Sequence, residues 1–147
     1  TNVVKSEKFS EILQMAMNRY LNGLLTNEQV IEELLNIAKD IARAKDEGNE
    51  MGLTPDELAF YDALVKPQAI KDFYENDELI AITKELTDTL RKNKTIDWQR
   101  RESARAKMRL LIKRLLKKHK YPPEGMDDAV QTVMTQCELW TDNVMDA

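Results

Sequence analysis

The side chains best able to do chemistry in this sequence are cations. Residues 91–120 hold 13 of the 22 Lys and Arg residues, opposed only by Asp97 and Glu102. That segment nets +11 and the remainder −15, although the 147 residues together net only −4. On a helical wheel Arg100, Lys107, Arg114 and Lys118 line one flank, and Arg109, Lys113, Lys117 and Lys120 the other. Cations along a helix face neutralise nucleic-acid phosphates and release counterions without reading base sequence. The same pattern also fits a solvated basic face paired with the acidic segments around it. Arg100, Lys107, Arg109, Lys113, Arg114, Lys117 and Lys118 are therefore the candidates for contact with DNA phosphate or with a partner protein. No aromatics interleave with them beyond Trp98, so stacking on single-stranded bases is not indicated.

Other chemistry finds no residues to carry it. With Cys137 and His119 each alone of its kind, neither a disulfide framework nor a Cys/His zinc site can be built. The sequence has no glycine-rich phosphate loop and no Ser–His–Asp or Cys–His set. No catalytic, cofactor-binding or metal-binding residue is assigned. His119 reads as a surface residue at a helix C-terminus, where positive charge is favoured. Cys137 reads as a small buried hydrophobe. The carboxylate pairs Asp127/Asp128 and Glu32/Glu33 read as solvated faces, and Met15, Met17, Met108 and Met134 as core or interface. No stretch approaches the ~18 apolar residues of a membrane span, and no signal-peptide pattern is present. The first residue is Thr1, so a piece of a longer protein is expected.

The elements that must position the cations are helical. Apolar residues recur at helical spacing almost throughout, no strand pattern appears, and four Gly and four Pro are few for a loop-rich fold. Phe9–Leu21 marks a first helix. Thr26 and Gln29 form a capping box opening a second, which Gly52 ends. Thr54, Pro55 and Glu57 start a third, stopped by Pro67. A short turn covers Ala69–Tyr74, and Asn76 caps a helix holding Leu79, Ile82, Leu86 and Leu90. Asp97 caps the basic helix, expected from Trp98 to about Lys118, where Pro122 and Pro123 break it. Ala104, Met108, Leu111, Ile112 and Leu115 anchor that helix. Arg101 and Arg105 fall near its apolar stripe and call for acid partners, expected from the body helices. A last helix covers about Glu124–Asn143, with Met126, Val130, Val133, Cys137, Trp140 and Val144 as a narrow seam. That seam packs on this domain's own core or docks another chain, and the helix's six acids, Glu124, Asp127, Asp128, Glu138, Asp142 and Asp146, could also lie against the basic helix and mask it. The expected fold class is all-α, a compact antiparallel bundle of about six helices with short loops. Residues 1–123 form one domain and 124–147 an acidic terminal amphipathic helix.

Several separated motifs carry a resemblance. They are Leu53-Thr54, Glu57–Leu64, Thr95-Ile96-Asp97-Trp98, Arg101-Glu102, Arg105–Arg109, Ile112–Leu116 and Tyr121-Pro122-Pro123, with the acidic helix around Glu32-Glu33-Leu34. In this order they resemble the C-terminal helical domain of the restriction (motor) subunit of type I restriction–modification enzymes. The likeness covers roughly Val30–Pro123. It implies a parent subunit with an endonuclease domain and helicase-type ATPase domains, which uses ATP and Mg and assembles with methyltransferase and specificity subunits. It implies the cytoplasm of a bacterium or archaeon, and duplex DNA translocated and cut far from the recognition site. None of those catalytic motifs lies in this chain. The expectation is a non-catalytic domain that docks the subunit on the methyltransferase core and touches duplex DNA through the basic helix. The alternatives are a purely protein-binding docking module, an enzyme in its own right, and a structural lid on the motor.

Overall fold

The structure, a computed structural model, describes residues 2–67, 69–95 and 98–146, and the side chains of all these except 99 and 140–146. Its helices are α1 (Val3–Leu21), α2 (Asn27–Met51), α3 (Pro55–Leu64), α4 (Ala69–Phe73), α5 (Asn76–Asn93), α6 (Glu102–Lys118) and α7 (Pro123–Asp146). A 3₁₀ turn, Trp98–Arg100, leads into α6. No strand occurs among the described residues. The fold is the all-α bundle that the apolar spacing predicts.

Helix starts follow the local chemistry. Thr26 and Gln29 satisfy each other's backbone N–H groups at 3.1 and 2.9 Å. Thr54 and Glu57 do the same at 3.2 and 2.9 Å, with Pro55 at the first helical position. Burial works against the Glu57 carboxylate, but the Thr54 N–H and Lys84 outweigh it and hold its pKa below the ordinary value. Gly52 ends α2 with a φ of 72°, a left-handed conformation open to glycine at little cost.

Two boundaries depart from expectation, and α6 ends at Lys118 as expected but for another reason. Asn76 does not cap α5: Glu75 takes that position without a side-chain cap, and Asn76 Oδ1 instead accepts from the Tyr61 hydroxyl at 3.2 Å. The basic helix is not continuous from Trp98. Arg101 is extended (φ −103°, ψ 117°) between the 3₁₀ turn and α6, and its guanidinium only donates, so it cannot cap. The expected cap Asp97 lies outside the described residues. Pro123 opens α7 rather than ending α6. The chain turns earlier, at Lys120 (φ 61°), where the Tyr121 N–H reaches the Leu116 carbonyl at 2.9 Å.

The core is built around α3. Every residue from Leu58 to Leu64 is buried, so the helix is enclosed on all sides. Phe60 and Leu64 meet Leu79, Ile82, Leu86 and Leu90 of α5, Met108, Ile112, Leu115 and Leu116 of α6, and Met126, Val130, Val133, Met134 and Cys137 of α7 in one cluster. Trp98 joins it at 1% exposure. The buried hydroxyls of Thr83 and Thr87 return hydrogen bonds to the Leu79 and Thr83 carbonyls, so their burial leaves no orphan group.

Enclosing α3 also buries a carboxylate. Asp62 is 7% exposed. Asn2 donates to it at 2.7 Å, and the Lys5 ammonium lies 3.3 Å away and 2.6 Å from Glu47. Burial pushes the Asp62 pKa up, and Asn2 and Lys5 offset this only in part. Burial disfavours the Lys5 ammonium, but the Glu47 and Asp62 carboxylates outweigh it and hold its pKa above the ordinary value. These residues fasten the foot of the α1–α2 hairpin to α3. Gly48 lets the two come close: a Cβ there would meet the Leu53 carbonyl oxygen at 3.0 Å. Beyond the foot the hairpin contributes little to the core. Leu21, Leu24, Ile31 and Leu35 are all more than half exposed.

Phe60→Ala should therefore lower unfolding stability by about 3–5 kcal/mol. Leu35→Ala, on the open side of the hairpin, should change it by less than about 0.5 kcal/mol. Urea unfolding followed by circular dichroism measures both, and equal losses would refute this placement of the core.

Candidate nucleic-acid interface

Helix α6 presents the cations because its other side is apolar. Met108, Ile112, Leu115 and Leu116 are buried, and Ala104 and Leu111 half-buried. Leu116, which the wheel left off the anchoring stripe, is fully buried. Glu102 in the first turn and Lys117 and Lys118 in the last complement the helix dipole. Its C-terminal end is held by tyrosines. Tyr74 donates to the His119 carbonyl at 2.7 Å, and Tyr121 to the Leu64 carbonyl at 2.7 Å. Burial pushes the Tyr121 pKa well up, so the phenol stays a donor.

The fold divides the cations into two groups. Lys118 and His119 both hold Glu85 of α5, at 2.7 and 2.6 Å. Lys113 faces Asp127 of α7 at 4.0 Å, a loose pair because Asp127 is almost fully solvated. Arg105 meets Glu138 of α7 at 3.4 Å. One acid partner of Arg105 thus comes from the terminal helix, where the sequence had pointed to the body helices. Arg101, expected near the apolar stripe, is exposed at the break before α6. Arg100 is exposed and has an interaction of its own.

Lys107, Arg109, Arg114 and Lys117 are exposed, and among the described residues no carboxylate lies within ion-pair distance of them. Arg101 and Lys120 share that state and were not among the candidates. Leu110 sits between the two flanks of cations at 47% exposure. Sequence inspection missed Glu85; it offered the acids of the terminal helix, Glu138 among them, as a cover for α6 but not which cations they would meet. Helical periodicity places each on its own helix but not opposite α6.

The surface suits a polyanion. Four or more cations project from one rigid rod, with no aromatic platform. Among the described residues no group of three His, Cys, Asp or Glu side chains is placed to hold a metal ion. No helix among them is long and apolar enough to cross a membrane.

The chain matches, over residues 1–143, the family described as type I restriction enzyme HindI endonuclease subunit-like, C-terminal. This is wider than the Val30–Pro123 stretch on which the sequence resemblance rested. The chain is similar to the type I restriction enzyme HindI endonuclease subunit of Haemophilus influenzae, 42% identical over 138 residues, covering 94% of this chain and 13% of that protein. It is also similar to an endonuclease subunit of Methanocaldococcus jannaschii named for the type I restriction enzyme MjaIXP, 35% identical over 128 residues, covering 86% of this chain and 12% of that one. It thus spans only a small part of the length of these curated relatives. No solved structure matches it.

The Glu85 cluster generates a pH dependence. Hydrogen bonds from Lys118 and His119 hold the Glu85 pKa below its ordinary value of 4.5. The folded chain therefore gives up this proton more readily than the unfolded one. The resulting stability is present above pH 4.5 and is lost as pH falls through the lowered folded value. Glu85→Gln should flatten that part of the acid limb in urea midpoints measured from pH 3 to pH 7. An unchanged limb would refute the assignment.

Proposed function

The chain belongs to the family of type I restriction enzyme HindI endonuclease subunit-like C-terminal domains, and from that premise we propose that it is the part of such a subunit that grips duplex DNA and helps seat the subunit in its complex. The observation that carries this reading is the pair of open flanks on α6, Lys107 with Arg114 and Arg109 with Lys117. Each cation that meets a phosphate releases a counterion, so grip comes without sequence preference. In this reading the domain does no bond-breaking. Cleavage, ATP hydrolysis and Mg belong to other parts of a cytoplasmic, DNA-translocating motor. The chain has no glycine-rich phosphate loop, and among the described residues no group of three His, Cys, Asp or Glu side chains is placed to hold a metal ion.

A second reading is favoured by one residue. Leu110 is exposed among the cations, where a phosphate backbone gains nothing from it and a protein partner would. In that reading α6 docks on an acidic patch of a methyltransferase or specificity subunit and never touches DNA.

Charge reversal separates the two. The quadruple variant Lys107→Glu, Arg109→Glu, Arg114→Glu and Lys117→Glu should weaken binding to duplexes of any sequence by more than about 100-fold at low salt. It should also reduce the slope of log affinity against log salt by about 3–4. Fluorescence anisotropy with two unrelated duplexes reads both quantities. Leu110→Ser should leave DNA affinity within about threefold. Unchanged DNA affinity in the quadruple variant, with subunit assembly lost in Leu110→Ser, would replace the first reading by the second.

A further inference from the structure

An apolar surface that the basic helix does not explain lies on the α1–α2 hairpin. The ion pairs Lys5–Glu47 and Arg19–Glu33 bridge its antiparallel helices along one side of their seam. On helical wheels set by those pairs, Leu13, Met17 and Leu21 of α1 and Ile31, Leu35 and Ala38 of α2 fall on the opposite side. All six are exposed, Leu21 at 74% and Leu35 at 58%. The band between them carries no carboxylate. At the hairpin foot lies a cavity of about 650 Å³ whose lining includes Phe9, Ile41, Leu53 and Leu58, with Lys45 and Asp56.

We infer that this face is the seat of an amphipathic helix contributed by the rest of the endonuclease subunit. Two antiparallel helices with one open apolar side form a groove, and a third helix laid along it supplies the missing packing. The exposed Leu, Met and Ile side chains select an apolar occupant rather than a nucleic acid. The curated relatives extend far beyond the part this chain matches, which covers 13% and 12% of their lengths. A helix on the same polypeptide is tethered, so it competes at an effective concentration that a separate chain seldom reaches. It also avoids most of the translational entropy lost when two chains associate. The cavity at the foot gives the helix an anchor point for one large side chain. The inference rests on family membership alone and not on DNA contact by α6.

The test uses the complete endonuclease subunit that carries this chain. A benzophenone amino acid replaces Leu35, and its photo-crosslinks are mapped by mass spectrometry at two protein concentrations. The expected product is an intramolecular crosslink to a helical segment outside these 147 residues, with the same yield at both concentrations. In parallel, Ile31→Glu with Leu35→Glu should speed amide exchange in α1 and α2 of the complete subunit by at least about tenfold. The same pair should leave the 147-residue chain's helicity, urea midpoint and DNA affinity unchanged, because neither residue belongs to the core or to α6. Crosslinks to a second copy, rising with concentration, would overturn the inference. So would crosslinks to another subunit, or no crosslink together with unchanged exchange. Loss of DNA affinity in the quadruple α6 variant is read separately.

Discussion

Enclosure of α3 is the constraint on which the rest of the structure depends. A ten-residue helix that is buried along its whole length from Leu58 onward leaves no side for solvent. It must be surrounded, and α5, α7 and the hairpin foot surround it while α6 closes the cluster through α5 and α7. The cost of the arrangement is concentrated in Asp62. A carboxylate taken out of water needs donors, and Asn2 and Lys5 supply them from the start of α1. The long hairpin is thereby fixed at one end. Its far half has only Ala16 and Val30 buried between its helices, and its apolar side is left open.

The same enclosure orients α6. Ile112 and Leu116 are fully buried, so the helix cannot rotate without exposing them. That orientation brings the cations nearest α5 and α7 against Glu85, Asp127 and Glu138, and turns Lys107, Arg109, Arg114 and Lys117 to solvent. A uniform basic segment thus becomes a helix on which some cations are paired and others stand open on both flanks. The field of the open cations, rather than the +11 of the segment, is what a polyanion meets.

Much of the fold was legible because helical periodicity and capping act over a few residues. Thr26 with Gln29, Thr54 with Glu57, and Gly52 at the end of α2 are all where their side chains and backbone freedom require. The misplaced boundaries are those that a distant contact decides. Asn76 was a sound local cap, but Tyr61 claims its oxygen. The break at Arg101 separates a buried Trp98 from the buried stripe of α6, and nothing in the neighbouring residues announces it. Asp62 sits in a run of apolar residues, where only the position of α1 shows what satisfies it. Met15 and Met17 occupy helical apolar positions but remain exposed, because a wheel records which residues share a face and not whether anything covers it.

By itself the sequence determined that the chain is all-helical, where most helices begin and end, and that its positive charge gathers on one segment. These follow from interactions within a turn or two of the backbone. Only the tertiary structure decided which cations are spent on Glu85, Asp127 and Glu138, why Asp62 can be buried, and which apolar face is left uncovered. Those outcomes depend on the relative placement of helices far apart in sequence. A carboxylate neutralises a cation only when packing brings it within a few ångströms.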